Sequence, residues 1–228
     1  MTEEKRITIA IDGPAGSGKS TTARLLADRL GYIHVDTGAM YRAITHHWLQ
    51  LGIGVTEENM NQMLETLKLD IVHTGAGQKT MLNGEDVSDA IRRPEVDRNV
   101  SEISAAAAVR RYLHGIQRKL GKNGGAIMDG RDIGTVVFPE ANLKIFLVAS
   151  VDTRAARRKK QNELKGQYYS IDEIKKQIID RDNLDSTRDI APLKKAEDAI
   201  EIDTSGLEIQ EQVEKIEELA RKVLRENE

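Results

Sequence analysis

The stretch Lys5 to Gly31, KRITIAIDGPAGSGKSTTARLLADRLG, constrains the fold more than any other part of the chain. Ile7 to Ile11 is short, apolar and β-branched, the texture of a buried strand. Gly13-Pro14-Ala15-Gly16-Ser17-Gly18-Lys19-Ser20 follows at once. An Ala/Leu-rich segment with apolar residues at helical spacing then runs to Leu30, with Gly31 at the C-cap position. Strand, G-x-x-x-x-G-K-S turn and helix in this order form a P-loop in its required context. Its glycines let backbone N–H groups close round an anion, and the next helix points its positive end at the same place. Lys19 is expected to reach the β- and γ-phosphates of a nucleotide, and Ser20 to offer its hydroxyl to Mg²⁺.

Any further anion site must be local. The 228 residues carry 34 basic and 37 acidic side chains, a net charge of −3, which argues against a general nucleic-acid or membrane surface. The absence of cysteine excludes disulfides, Cys-zinc sites and thiol catalysis, and suits a reducing compartment. No apolar signal region precedes the first strand and no stretch approaches a membrane span, so a cytoplasmic protein is expected.

Tyr32 to Asp36 reads as a second strand. Thr37-Gly38-Ala39-Met40-Tyr41-Arg42 turns into a helix to about Leu51, with Arg42 on its first turn. Ligands of open α/β sheets sit beyond the carboxyl ends of strands, so Asp36, Thr37 and Arg42 belong near the P-loop. Arg42 there can hold a phosphate by a bidentate fork. Thr56 caps a helix to about Leu67. Lys68–His73 and Lys79–Leu82 alternate as short strands around Gly75-Ala76-Gly77, and Asn83-Gly84 signals a hairpin turn. Pro94 opens a helix, a second runs from about Val109 to Leu120, and these carry Ser101 and Arg110. Ala126–Asp129 has the form of a Walker-B strand, with Asp129 near Mg²⁺ or its waters and Arg131 facing the same crevice.

Leu143–Ala149 and Ala199–Asp203 supply the fourth and fifth strands, and a helix from about Glu208 to Arg225 follows. Between those strands lie two arginine-bearing helices. One starts near Asp152 with Arg154, Arg157 and Arg158. The next is opened by the capping box Ser170-Ile171-Asp172-Glu173 and carries Arg181, Asp182 and Asp185 towards Arg188. Two arginine groups flanking a loop have the layout of a lid that closes on phosphates. Tyr41, Trp48, Tyr168 and Tyr169 read as packing residues. The five histidines show no metal-ligand spacing. There is no N-K-x-D guanine-reading motif and no H-R-D-type base. A phosphate acceptor is already ionised near neutral pH and needs only positioning and charge neutralisation, so phosphoryl transfer onto a phosphate is the favoured chemistry. Two other readings stay open: a kinase for UMP or another small acceptor, and a non-catalytic ATP-binding regulator.

Five pieces carry a closer resemblance: IDGPAGSGKST, DTGAMYR at 36–42, NGEDVSDAIR at 83–92, DGRDIGTVVFP at 129–139 and RDNLDSTRDIAPL at 181–193. Through almost its whole length the chain resembles the bacterial cytidylate kinases. The resemblance implies an α/β fold: a P-loop parallel five-stranded sheet flanked by helices, with a lid and a small β-containing monophosphate-binding insertion. It implies one kinase unit, with a core over about 1–60, 99–152 and 189–228, the insertion over about 61–98 and the lid over about 153–188. The implied substrates are ATP, as donor with Mg²⁺, and CMP or dCMP. The partners are small molecules only, with no nucleic acid and no membrane, and the chain is expected to be a monomer.

The resemblance also implies site roles. Gly13, Pro14, Ala15, Gly16, Ser17, Gly18, Lys19, Ser20 and Thr21 hold the donor phosphates, and Arg157 contacts the donor nucleotide. Arg42 and Arg131 clamp the CMP phosphate, while Asp36, Thr37 and Asp132 orient arginine and ribose. Ser101, Arg110 and Asp185 read cytosine or sugar. Lys19, Arg131, Arg181 and Arg188 serve the transfer itself, and Ser20 and Asp129 serve the metal.

Overall fold

The computed structural model describes residues 6–74 and 77–226. Five parallel strands form the main sheet: β1 (Thr8–Asp12), β2 (Ile33–Asp36), β6 (Ala126–Gly130), β7 (Leu143–Val148) and β8 (Ile200–Asp203), in the order β2-β6-β1-β7-β8. Strand β1 is central. Asp12 lies opposite Gly130 on one side and Phe146 on the other, so the P-loop leaves the middle of the carboxyl edge. Both faces of the sheet are covered, which is why its inner strands read as continuous apolar runs.

Alternate residues of β1 and β6 serve different cores. Ile9, Ile11 and Ile127 pack with α1 (Lys19–Leu30) and α8 (Ile209–Glu226), through Leu26, Val213, Ile216 and Ala220. Ala10 and Met128 face the larger core made with α2 (Thr37–Leu51), α3 (Glu57–Glu65), α4 (Pro94–Ala105) and α5 (Ala107–Gly121). Two further helices, α6 (Val151–Glu163) and α7 (Ile171–Thr187), pack on each other around Ala155, Ile174 and Ile178. The capping box Ser170–Glu173 opens α7 as expected.

A three-stranded antiparallel sheet, β3 (Leu69–Thr74), β4 (Gly77–Leu82) and β5 (Glu85–Asp86), sits between α3 and α4 in sequence. Asn83-Gly84 turns β4 into β5; Gly75 and Ala76 of the β3–β4 turn lie outside the described residues. Gln78 joins this small sheet to the main one, its Oε1 accepting from the Asp36 N–H at 2.8 Å.

Two expectations are corrected. Asp36 itself caps α2, its Oδ1 accepting from the Ala39 N–H at 2.9 Å, so the helix starts at Thr37 and Arg42 stands on the second turn. Tyr168 is not a packing residue: it is 80 % exposed in the loop between α6 and α7, and Tyr169 is also exposed. Tyr41 and Trp48 do join the core. Among the described residues no helix is long and apolar enough to cross a membrane.

Candidate active site

The carboxyl ends of β1, β2 and β6, the P-loop, α4, α6 and α7 surround one cleft of about 1420 Å³. Eleven Lys and Arg side chains line it against seven Asp and Glu, in a chain whose net charge is −3. Positive charge is therefore concentrated where an anion would bind.

The P-loop is shaped by close packing. A Cβ on Gly13 would come within 2.1 Å of the Leu147 carbonyl oxygen, so glycine is required there. Gly18 caps α1 with φ +95°, and among the described residues no side-chain cap bond reaches the helix's first turn, where N–H groups are free to meet an anion. Gly13, Pro14 and Ser17 build the turn and do not line the cleft; Ser17 Oγ donates to the Pro14 carbonyl at 3.0 Å. Ala15, Gly16, Gly18, Lys19, Ser20 and Thr21 do line it. Lys19 Nζ rests on the Pro14 carbonyl at 2.6 Å and lies 3.3 Å from Ser17 Oγ. Burial and the nearby charge of Arg131 push its pKa well below that of an ordinary lysine, a deficit that phosphate oxygens would remove.

Behind the P-loop, Ser20 Oγ donates to Asp129 Oδ2 at 2.5 Å, while His34 Nε2 meets Asp129 Oδ1 at 2.7 Å. Burial would raise the Asp129 pKa, but His34, Ser20 and Lys19 hold it below the usual carboxylate range. A hydroxyl beside an ionised carboxylate is a hard-oxygen pair, and it fits Mg²⁺.

The acceptor side is an alternation of guanidinium and carboxylate. Arg131 Nε donates to Asp185 Oδ2 at 2.8 Å, and Arg110 Nη2 to Asp132 Oδ2 at 2.6 Å. Arg188 bridges the two pairs, 3.8 Å from Asp132 and 3.7 Å from Asp185. Arg110 is 1 % exposed; it also donates to the Ser104 carbonyl and lies over the Tyr41 ring at 5.3 Å. Burial would raise Asp132, but His114 and Arg110 hold its pKa below normal; Arg131 and Arg181 do the same for Asp185. Arg181 stands beside these pairs. Its Nε is buried without a hydrogen-bond partner among the described residues. Burial, with Arg131 and Arg42 alongside, pushes its pKa down to about 10.

Arg42, Ser101, Arg110, Arg131, Asp132, Arg181, Asp185 and Arg188 thus line the same cleft as Lys19. Thr37 is turned to the backbone, its Oγ1 donating to the Asp129 carbonyl at 2.7 Å. Asp36 is engaged as a helix cap and lies 3.4 Å from Arg92. Arg157 reaches the cleft from α6 but is tied to the turn after β8, donating to the Thr204 carbonyl at 2.6 Å.

Sequence reasoning passed over three contributors, Asp12, His34 and Asp97, and gave a fourth, Arg154, only as one of the arginines of the lid. Asp12 accepts from the Ile133 and Gly134 N–H groups at 2.9 and 2.7 Å, bracing the turn that carries Arg131 and Asp132. His34 orients Asp129. Arg154 of α6 donates to the Ala15 carbonyl and pairs with Asp182 of α7 at 2.6 Å, linking P-loop to helix pair. Asp97 of α4 accepts from Arg42 and from Arg158. Asp12 ends the central strand at the carboxyl edge, so the rule that flagged Asp36 could have found it. No comparable signal marks Asp97.

A family profile described as "Cytidylate kinase" matches residues 9–222. A protein of Anoxybacillus flavithermus named cytidylate kinase is 50 % identical over 214 residues, covering 93 % of this chain and 95 % of its own. One of Bacillus subtilis with the same name is 48 % identical over 214 residues, covering 93 % and 96 %. In fold, a shikimate kinase from Bacteroides thetaiotaomicron aligns over 94 % of this chain and 98 % of its own, at 12 % identity and a TM-score of 0.51.

Proposed function

The chain belongs to the cytidylate kinase family, and from that premise we propose how its cleft carries phosphoryl transfer. The chain transfers a phosphoryl group to CMP, with ATP as donor. A CMP phosphate oxygen attacks the γ-phosphorus, the bond to the β–γ bridging oxygen breaks, and the products are CDP and ADP. dCMP serves as a second acceptor.

One observation supports the residue assignments above the rest: Lys19 of the P-loop and Arg131, Arg181 and Arg188 share one cleft, with Arg131 charge coupled to Lys19. Gly13 to Thr21 hold the donor phosphates and Arg157 lies beside the donor nucleotide. Arg42 and Arg131 clamp the acceptor phosphate. Ser101, Arg110 and Asp185 recognise the cytidine, with Asp36, Thr37 and Asp132 orienting arginine and ribose. Lys19, Arg131, Arg181 and Arg188 neutralise charge on the transferring group. Neither acid nor base is required, because both reacting oxygens are phosphate oxygens. Ser20 and Asp129 would hold Mg²⁺, which when bound neutralises donor phosphate charge.

The unit we propose has a core of about 1–60, 99–152 and 189–228, a monophosphate-binding insertion of about 61–98, and a lid of about 153–188 that excludes water by closing. It acts as a monomer in the cytoplasm, consistent with its cysteine-free composition. ADP release from Mg·ATP with CMP, dCMP, UMP, AMP and GMP as acceptors tests this reading. Fast release with CMP and dCMP is expected. Fast release with UMP alone would overturn the base-reading assignments. Folded protein that binds ATP and phosphorylates none of them would be a regulator.

A further inference from the structure

Asp97 holds a position that the transfer mechanism does not use. It sits on α4, with its side chain about one-fifth exposed at the cleft wall, between two arginines from other elements. Its Oδ1 accepts from Arg42 Nε of α2 at 3.1 Å, and its Oδ2 accepts from Arg158 Nη2 of α6 at 2.7 Å. One carboxylate thereby joins the acceptor side of the cleft to the arginine-bearing helix pair. Arg42 is engaged through Nε, the side of the guanidinium away from its outer fork. Arg181 adds a third positive charge nearby. A carboxylate so surrounded stays ionised and stays put when a further anion arrives, because the cations around it exceed its own charge.

We propose that Asp97 is a positioning residue that yokes Arg42 to Arg158, so that the arginine gripping the acceptor phosphate and the helix pair closing over it move as one. The proposal rests on the reading of Arg42 as an acceptor-phosphate ligand. Asp97 itself touches no substrate. It fixes the Arg42 guanidinium by its Nε edge and presents the outer fork to the phosphate. Through Arg158 it transmits that placement to α6. Seated acceptor then favours the closed arrangement, and an empty acceptor site does not, so the donor is spared hydrolysis when no CMP is present.

The test compares Asp97→Asn, Asp97→Glu, Arg158→Ala and the Asp97→Asn/Arg158→Ala pair with the unaltered protein. Melting temperature is read alongside KM for CMP, KM for ATP and kcat. Asp97→Asn removes the charge shared by both arginines, so it should lower kcat as Arg158→Ala does and also raise KM for CMP by about tenfold, the size of one lost charge-assisted bond. KM for ATP should stay within about twofold, and Asp97→Glu should recover part of the loss. Arg158→Ala cuts only the tie to α6: it should lower kcat and leave KM for CMP nearly unchanged. The double substitution should lower kcat no further than Asp97→Asn does, since both break one linkage.

Independent, multiplying effects on kcat would overturn the yoke, as would an unchanged KM for CMP in Asp97→Asn or equal rises in both KM values. Should Asp97→Asn fail to fold, Arg158→Ala decides alone, with unchanged kcat refuting the linkage and reduced kcat at constant KM supporting it. Unaltered protein that turns over CMP beside indifferent variants sinks the yoke only. Unaltered protein that does not turn over CMP sinks the kinase reading itself.

Discussion

Asp132→Asn tests whether the arginine-rich wall is balanced as the structure indicates. The substitution keeps side-chain size, so no cavity opens. It removes the carboxylate that faces Arg110 at 2.6 Å, His114 at 3.1 Å and Arg188 at 3.8 Å. Arg110 then keeps the Ser104 carbonyl, the Tyr41 ring and at most a neutral amide oxygen, none of which carries a negative charge. Both partners are almost fully buried, so solvent screens little of the effect. Removing one member of such a pair costs about 3–5 kcal/mol. In a chain of this length that lowers the melting temperature by roughly 6–20 °C. Urea unfolding should show the midpoint moving with an unchanged slope. Replacing both partners, Arg110→Met with Asp132→Leu, should recover part of the stability, since Arg188 keeps Asp185, while CMP turnover stays lost if these groups recognise the acceptor as proposed. A loss from Asp132→Asn below about 1 kcal/mol, the scale of an ordinary neutral hydrogen bond, would refute the buried-pair reasoning. So would a double replacement no more stable than the single one.

Further outcomes concern the rest of the cleft. Lys19→Met and Arg131→Ala should each reduce kcat by about 10²–10³-fold, the usual cost of one charge-stabilising group, with far-ultraviolet circular dichroism unchanged. Asp129→Asn and Ser20→Ala should raise the Mg²⁺ concentration giving half-maximal rate, while His34→Ala should do so more weakly by loosening Asp129. Burial raises the Asp12 pKa to about 6, against the pull of the Gly134 and Ile133 N–H groups. A folded pKa above the unfolded one gives stability that is present below about pH 4 and lost as pH rises through about 6. The unfolding free energy of the unaltered protein relative to Asp12→Asn should therefore fall across that window by an amount on the order of 3 kcal/mol. A pH-independent difference would mean that the Asp12 carboxyl does not titrate there.

What could be read in the chain depended on how local the physics was. The P-loop strand, the Walker-B strand and the Ser170 capping box are each written in under ten residues, and the structure forms all of them. Arg42 shifted by a turn because the Asp36 side chain, three residues before Ala39, caps the helix and starts it at Thr37. The third strand of the small sheet, Glu85–Asp86, has no apolar alternation to announce it and exists because it pairs with Met81 and Leu82. Asp97 lies in Pro94-Glu95-Val96-Asp97-Arg98, a charged first turn like many solvated ones. Only packing that brings Arg158 from 61 positions away gives it a role. Tyr168 failed in the opposite sense, since an aromatic residue alone says nothing about whether a partner is near.

The strand order has a consequence for synthesis. Strand β1 holds the P-loop, yet both its neighbours are made much later, β6 at residues 126–130 and β7 at 143–148. For most of translation Ile7, Ile9 and Ile11 have no sheet to enter, and the phosphate-binding turn hangs from an unpaired apolar strand. Closing loops this long slows folding far more than it weakens the finished protein. A ribosome that stalls before residue 126 would release a chain with this apolar strand unpaired on both sides, which favours aggregation. Such a fragment also lacks Asp129 and Arg131, the groups proposed to serve the metal and the acceptor phosphate.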